Sequence, residues 1–145
     1  MTTPRPKPLP QPTPETAPYW EALREHRLRM QWCRDCRGFY FYPRPFCRTC
    51  GGANVEWREL AGSGTLYSFV INHLPAPGFE GDVPYVIALV DLDEGPRLMT
   101  NLVNVAPDPA VIRVGMPVRV VFHDASAEVT LPLFEPAAAG GGSDA

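Results

Sequence analysis

Apolar and polar residues alternate along the second half of the chain, and this pattern predicts a series of short β-strands. Residues 65–71 (TLYSFVI) and 117–123 (PVRVVFH) alternate most clearly, and residues 98–105 and 129–133 carry two further runs. Residues 85–92 (YVIALVDL) form a nearly continuous apolar run, which is typical of a strand buried inside a closed sheet. The sequence therefore predicts five strands after residue 61.

The connections between these strands indicate how they are arranged. The sequence DEGP at residues 93–96 predicts a hairpin turn, and residues 73–84 form one long connection rich in Pro and Gly. Five short strands with a single long connection favour a small closed barrel, most plausibly an OB-fold.

The first half of the chain has a different pattern, with one short amphipathic helix followed by three short strands. Tyr19, Trp20 and Leu23 are spaced to share one face of a helix over residues 18–26, and Pro18 suits a first helical position. Strands are predicted at residues 28–32, 39–43 and 55–58. The aromatic face of the helix either packs on the chain's own core or forms a docking surface, and both interpretations stay open.

Composition changes sharply at the two ends of the chain. Proline alternates with other residues through residue 14, which predicts a stiff, polyproline-like arm, either a loose leader or a segment that docks on a partner. The last nine residues, AAAGGGSDA, predict a disordered tail. The predicted division is an arm at residues 1–15, helix plus zinc ribbon at 16–60, an OB-fold at 61–136 and a tail at 137–145.

Four cysteines carry the clearest chemical pattern. They form two C-x-x-C pairs with ten residues between them, and they are Cys33, Cys36, Cys47 and Cys50. Two such pairs match a tetrathiolate zinc site, in which each pair holds one side of a tetrahedral ion. Gly38, Gly51 and Gly52 lie just past the pairs, where a tight turn needs a residue with positive φ. Three short strands around four thiolates predict a rubredoxin-like zinc ribbon in which the metal is structural.

Other uses of the cysteines fit less well. Two disulfides would suit a small secreted protein, but the chain shows no signal peptide pattern, and a redox C-x-x-C normally occurs singly. Iron is the alternative metal, because four thiolates suit either ion. The thiols predict a reducing, cytoplasmic location, and the absence of any run of 18 apolar residues predicts no membrane helix.

Charge is unevenly distributed along the chain. Residues 1–58 carry ten Lys/Arg and five Asp/Glu (10 − 5 = +5), whereas residues 59–145 carry three Arg and eleven Asp/Glu (3 − 11 = −8), which together give the net charge of −3. A basic, aromatic front half and an acidic back half are therefore predicted.

Several stretches together resemble a bacterial and archaeal family that combines a rubredoxin-like zinc ribbon with an OB-fold. They are PYW at 18–20, the two C-x-x-C pairs, GSGTLYS at 62–68, PYVIALVDLDEGP at 84–96 and VGMPV at 114–118. The resemblance covers roughly residues 16–136. It implies an accessory subunit that sits beside thiolase-like enzymes, including sterol side-chain aldolases, or beside MaoC-like enoyl-CoA hydratases, and that helps to form an acyl-CoA site.

The residues themselves indicate binding more than catalysis. There is no G-x-S-x-G motif, and His26, His73 and His123 are isolated along the chain, so no catalytic residue is predicted and an independent enzyme is not expected. Coenzyme A offers phosphates and a flat adenine, which call for Arg donors and aromatic surfaces. The candidate partner- or CoA-binding residues are Tyr19, Trp20, Arg24, Arg27 and Arg44.

Two competing functions belong to other classes. Zinc ribbons and OB barrels both occur in nucleic-acid-binding proteins, but the −8 balance of the barrel half opposes binding to a phosphate backbone. A rubredoxin-like electron-transfer protein would hold iron at the same four thiolates.

Overall fold

The computed structural model describes residues 6–137 of the chain. Within that range the chain is mainly β, with one short helix, a four-cysteine ribbon and a closed barrel of five strands, as the sequence predicts. The elements are α1 (Ala17–Arg24), β1 (Leu28–Cys33), β2 (Gly38–Tyr40), β3 (Val55–Leu60), β4 (Ser63–Asn72), β5 (Tyr85–Leu92), β6 (Arg97–Leu102), β7 (Pro117–Asp124) and β8 (Thr130–Pro136). The predicted disordered tail from residue 138 onward and the first five residues of the arm lie outside the described residues.

Helix α1 has the apolar face that the sequence predicts, with slightly different ends. It begins one residue before Pro18 and ends at Arg24, two residues earlier than predicted. The chain turns there because His26 adopts a left-handed conformation with φ of 59°, which a right-handed helix cannot contain.

The first sheet has the strand order β2-β1-β3 and is antiparallel throughout. Strand β2 is shorter than predicted, since pairing stops at Tyr40 instead of continuing to Pro43. Pro43 and Pro45 come shortly after Tyr40, and neither has an amide hydrogen to donate to a neighbouring strand. The segment between β2 and the second cysteine pair is therefore irregular.

The second sheet closes into a barrel with the strand order β4-β5-β6-β8-β7, in which β7 pairs back to β4. Strands β6 and β8 are parallel and meet at one pair, Leu102 with Phe134. This is the partly open Greek-key arrangement of an OB-fold. A bulge between Leu66 and Ser68 lets β4 curve around the barrel.

Two strand ends of the barrel differ from the sequence prediction by three residues, and the other barrel strand ends differ by two residues or fewer. Strand β6 ends at Leu102 instead of residue 105, because Asn104 has a φ of 59° that interrupts the extended backbone. Strand β8 continues to Pro136, beyond the predicted end at residue 133, because it stays paired with β7 as far as Val118.

One continuous core joins the helix, the first sheet and the barrel. Trp20 and Leu23 from α1 belong to the same buried cluster as Met30 of β1 and Phe134 of β8. The first sheet ends with Leu60 and the barrel begins with Ser63, close to the predicted boundary between residues 60 and 61. The division of the chain into these two parts stays a prediction, and the shared core argues for coupling between them.

The described part of the proline-rich arm lies on the long connection between β4 and β5. Lys7 Nζ is 2.6 Å from Asp82 Oδ2 and 5.1 Å from the centre of the Phe79 ring. Gly78 has a φ of +92°, and a Cβ there would lie 2.8 Å from Lys7 Cα. The arm therefore packs closely against this connection at Gly78, where there is no room for a side chain.

Candidate metal centre and neighbouring surfaces

The four cysteines meet at one end of the first sheet, on two similar turns. Cys33 ends β1 and begins the first turn, while Cys47 begins the second turn in the irregular segment before β3. In each turn the amide of the fourth residue after the first cysteine donates to that cysteine's carbonyl oxygen, Arg37 to Cys33 and Gly51 to Cys47, both at 2.8 Å. The sequence folds both C-x-x-C pairs into matching turns.

The residue with positive φ in the first turn is not the one that the sequence indicates. Arg37 has a φ of 56°, and Gly51 has a φ of 74° at the matching place in the second turn. Gly38 instead begins β2. The predicted role of Gly38 as the turn residue is therefore wrong, because the turn geometry places the left-handed residue immediately after the second cysteine of each pair.

The four sulfur atoms are arranged as metal ligands. All lie within 4.8 Å of one another, with Cys33 Sγ 3.7 Å from Cys50 Sγ and Cys36 Sγ 3.9 Å from Cys47 Sγ. A tetrahedral ion with metal–sulfur bonds of about 2.3 Å separates its sulfur ligands by about 3.8 Å. The donor set therefore fits one tetrahedral metal ion.

Backbone amides support the negative charge of the thiolates. The amides of Cys36, Thr49 and Gly52 donate to Cys33 Sγ, Cys47 Sγ and Cys50 Sγ at 3.4, 3.3 and 3.4 Å. Backbone donation from Cys50 and Thr49 lowers the pKa of the Cys47 thiol to about 6. Hydrogen bonding with the Cys50 thiol, together with desolvation, raises the pKa of the Cys36 thiol to about 12. Metal binding at neutral pH would therefore displace protons from the cluster.

The cluster has the chemistry of a structural site. Cys33 and Cys47 are buried, and Cys36 and Cys50 are at the surface. Four protein thiolates complete a tetrahedral shell and leave no position for a water or a substrate. The metal would fix the two turns relative to each other, and the thiols are not nucleophiles while they are ligands.

The aromatic candidates for partner or CoA binding lie inside the protein. Tyr19 is 2% exposed and Trp20 is 6% exposed, and their ring centres are 5.0 Å apart in an edge-on arrangement. Burial raises the pKa of the Tyr19 hydroxyl above its ordinary range. The hypothesis of an exposed aromatic docking face on α1 is therefore corrected, because these rings fill the space between the helix, the first sheet and the barrel.

The three arginine candidates are exposed and point to different parts of the chain. Arg24 Nη1 donates to the Glu128 carbonyl oxygen at 3.4 Å, and Arg27 pairs with Glu25 and Glu59 at 3.0 Å each. Arg44 is exposed, and its backbone amide donates to Gln31 Oε1 at 2.7 Å. Their role in binding a partner or CoA stays a prediction, and they do not form one pocket.

Two clefts that the sequence does not reveal lie on either side of the barrel. The first has a volume of about 780 Å³ and separates the ribbon from β5 and β6. The second has a volume of about 600 Å³ and lies beneath the proline-rich arm. Mostly apolar side chains line this arm cleft, including Leu9, Phe79, Val103, Val121, Leu131 and Leu133.

The fold and the four-cysteine cluster define a zinc-ribbon and OB-fold protein. Residues 20–56 match the rubredoxin-like zinc ribbon domain of ChsH2, and residues 57–123 match the C-terminal OB-fold domain of ChsH2. A DUF35 domain-containing scaffold protein of Pyrococcus furiosus is 38% identical over 105 residues, which cover 71% of this chain and 74% of that protein. The chain belongs to the DUF35 family.

Longer relatives and solved structures agree with this assignment. The probable enoyl-CoA hydratase alpha subunit of Thermomonospora curvata is 43% identical over 132 residues, which are 90% of this chain but 40% of that protein. The chain likewise spans 36% of the 3-oxo-4,17-pregnadiene-20-carboxyl-CoA hydratase alpha subunit of Mycobacterium tuberculosis, at 36% identity over 79% of this chain.

The solved structure of the Ltp2-ChsH2(DUF35) aldolase contains a chain 42% identical to this one. It superposes with a TM-score of 0.78 and covers 90% of this chain and 100% of that chain. A DUF35-family protein of unknown function from Sulfolobus solfataricus shares the fold at 15% identity, with a TM-score of 0.60 and 86% coverage of both chains. No helix within residues 6–137 is long and apolar enough to cross a membrane.

Proposed function

We propose that this chain is a non-catalytic accessory subunit that binds a thiolase-like or MaoC-like hydratase partner and helps to form the partner's acyl-CoA site or channel. The observation that carries the proposal is the match to a chain of the Ltp2-ChsH2(DUF35) aldolase, which covers 90% of this chain and 100% of that chain. A closed tetrathiolate ribbon attached to a barrel is suited to holding a surface in shape.

A cleft beneath the proline-rich arm supports the acyl-CoA part of the proposal. The arm cleft is about 600 Å³ in volume and is lined mainly by apolar side chains, a size and character that suit a small organic ligand. The acyl group of a CoA thioester would lie in this cleft or in a channel that runs from the cleft into the partner. Contact of CoA itself with Arg24, Arg27 or Arg44 is part of the proposal.

Zinc is the proposed metal, and Cys33, Cys36, Cys47 and Cys50 would hold it. Zinc binds four thiolates in a closed tetrahedral site without redox chemistry, which is what an accessory subunit requires. Iron at the same ligands would instead indicate electron transfer, and a visible spectrum separates the two because ferric tetrathiolate is red and zinc is colourless. Four reduced cysteines as ligands also favour a cytoplasmic location.

Nucleic-acid binding is less well supported than protein binding. The OB-fold face formed by β5 and β6 is the usual site for oligonucleotides. Here the outward residues of β5 are Tyr85, Ile87, Leu89 and Asp91, none of them a cation. The outward cation of β6, Arg97, is held by Asp91 through two hydrogen bonds, so this face offers little positive charge to a phosphate. A salt-dependent gel shift with single-stranded RNA tests this function, and tight binding that weakens steeply with salt would favour it.

The decisive experiment replaces the ChsH2(DUF35) chain of the related aldolase by this chain. The Ltp2 chain would be co-expressed with this chain, with the Cys36→Ser variant as the matched control, and the complex would be isolated and assayed on its acyl-CoA substrate. We expect a stable complex with aldolase turnover for the unaltered chain and neither for Cys36→Ser. If the Ltp2 chain does not associate with the unaltered chain, the proposed function fails.

A further inference from the structure

Strand β5 carries apolar residues on both of its faces, although the rest of the chain fully buries only one of these faces. Its inward residues are buried, whereas its outward residues Ile87 and Leu89 are half-buried. A strand with apolar residues on both sides is typical of a sheet covered on both sides. The middle of the outer face of β5, at Ile87 and Leu89, therefore has the composition of an interior surface.

Neighbouring strands extend this apolar surface. The register places Val70 of β4 beside Ile87, and Met99 of β6 beside Leu89. Val70 is 56% exposed and Met99 is 69% exposed. Tyr67, at the bulge of β4, is also exposed, and the centre of its ring lies 3.4 Å from the guanidinium carbon of Arg97 on β6. We refer to Tyr67, Val70, Ile87, Leu89 and Met99 as the outer apolar face.

The outer apolar face continues into the cleft between the ribbon and the barrel. Leu89 and Met99 line one wall of this cleft, which measures about 780 Å³, and Phe39 and Phe41 beside the ribbon line the other. Exposed apolar patches that continue into a groove are typical of protein-binding sites. Both halves of the chain therefore contribute to one concave surface, and the ribbon wall depends on the metal-bound turns.

Charges at the cleft indicate what it receives. Arg97 is held by Asp91 through two hydrogen bonds of 2.6 and 3.2 Å, so this pair is neutral overall. Arg48 lines the same cleft, and its Nη1 donates to the Phe41 carbonyl oxygen at 3.2 Å. Among the residues that the structure describes, Arg48 makes no ion pair with a carboxylate. The cleft thus combines one arginine without a carboxylate partner among the described residues with the apolar side chains of Leu89 and Met99.

We propose that the outer apolar face and the ribbon–barrel cleft receive a projecting segment of the partner enzyme subunit, with an apolar side chain against Leu89 and Met99 and a carboxylate paired with Arg48. This inference rests on the proposed function and adds the location and chemistry of the interface. A symmetric contact with a second copy of the chain is disfavoured, because it would bring two cationic clefts together.

Two variants and one matched control test the interface. Met99→Glu places a charge in the apolar contact, and Arg48→Glu reverses the charge that would pair with the partner. Val111→Glu is the control, because Val111 is also an exposed apolar residue, at 49%, and does not line the cleft. Metal content and far-UV circular dichroism of each variant establish that it is folded.

Affinity for the Ltp2 chain is measured by calorimetry at two salt concentrations. We expect both cleft variants to lose at least tenfold in affinity, the Arg48→Glu effect to shrink at high salt, and Val111→Glu to stay within threefold of the unaltered chain. If the unaltered chain binds and both cleft variants bind equally well, the interface is elsewhere while the accessory function stands. If the unaltered chain does not bind, both proposals fail. Self-association that Met99→Glu abolishes would show that a second copy occupies the face and would overturn the inference.

Discussion

His26 Nε2 lies 3.0 Å from Asp124 Oδ1, and this contact ties the turn after α1 to the end of β7 in the barrel. The His26 ring also stacks on Phe122, with ring centres 5.1 Å apart and planes 12° from parallel. Asp124 accepts a second hydrogen bond from Thr130 Oγ1 at 2.7 Å. A histidine that is isolated along the sequence therefore has a structural role at the junction of the two halves.

This contact predicts a pH dependence of stability. The hydrogen bond from Thr130, followed by that from His26, lowers the pKa of Asp124 below its ordinary value of 3.8. A carboxylate whose pKa is lower in the folded state stabilises the fold fully above its unfolded pKa, and this stabilisation disappears as pH falls through the folded pKa. Asp124→Asn should therefore be less stable than the unaltered chain at pH 7, with a difference that shrinks as pH falls below 3.8. Urea unfolding from pH 7 to pH 2.5 measures it.

The control for this prediction is Asp93→Asn. Asp93 is exposed, and its carboxylate makes no hydrogen bond within residues 6–137, so its replacement should leave the unfolding midpoint unchanged at every pH. If the stability difference between Asp124→Asn and the unaltered chain stayed constant down to pH 2.5, this would contradict the lowered pKa of Asp124 in the folded state.

The continuous core predicts that the sheet and the barrel unfold together. Trp20 is buried, and its Nε1 has no hydrogen-bond partner among the described residues. Trp20→Ala should lower the free energy of unfolding by about 3–5 kcal/mol, as expected for loss of a buried aromatic ring. Trp20→Phe should cost less, because it keeps most of the apolar contact and removes the unpaired N–H.

Two spectroscopic signals can follow the two parts in the same experiment. Trp32 and Trp57 are the remaining tryptophans and both lie in the first sheet, so their fluorescence reports on it, while far-UV circular dichroism reports mainly on the barrel. We expect the two signals to change at the same urea concentration in both Trp20 variants. Separate midpoints would mean that the two parts fold independently.

Hydrophobic patterning in the sequence locates the helix and the eight strands within residues 6–137, because most of these elements have one buried face and β5 stands out as a nearly continuous apolar run. The strand ends are less predictable, since they depend on single backbone conformations such as the positive φ of Asn104. The same limit applies to the first cysteine turn, where Arg37 takes the left-handed conformation that the neighbouring Gly38 seemed to provide. The advantage of glycine at such a position is about 1–2 kcal/mol, which the surrounding hydrogen bonds and the metal can offset.

The position of the aromatic residues of α1 could not be predicted from the helix alone. A face with Tyr19 and Trp20 is equally compatible with burial and with docking, and the outcome depends on how the sheet and barrel close around it. The docking surface proposed here instead uses Leu89, within the run that the sequence analysis describes as nearly continuously apolar. The apolar residues on both sides of this run could have indicated a second contact surface. The sequence alone does not show which side faces outward, because that depends on how the barrel closes.

Loss of one ligand should remove the metal and loosen the ribbon. The unaltered chain should bind one metal ion, and Cys36→Ser should bind none, because three thiolates do not complete the tetrahedral shell. Structural zinc contributes on the order of 10 kcal/mol to folding of such turns. Amide exchange should therefore accelerate most at residues 34–37 and 48–52, and less in β1, which the core also holds. Thr49→Ala is the control, and metal content unchanged in Cys36→Ser would contradict the site.

The contact between the arm and the connection from β4 to β5 predicts a protease-sensitive site. Lys7 covers Phe79, so chymotrypsin should cleave after Phe79 slowly in the unaltered chain. Gly78→Ala should accelerate cleavage strongly, because its Cβ would displace Lys7 and its φ of +92° disfavours any side chain. Gly81→Ala, with open space around its position, is the matched control.

Lys7→Ala separates the effect of the arm from strain in the connection itself. This variant removes the ion pair with Asp82 and the contact with Phe79 but leaves the connection unchanged. Because the pair is about half exposed, its contribution is at most about 1 kcal/mol, and cleavage should accelerate by up to about fivefold. Faster cleavage in Gly78→Ala but not in Lys7→Ala would show that the arm does not protect Phe79, and that the connection is stabilised by its own turns instead.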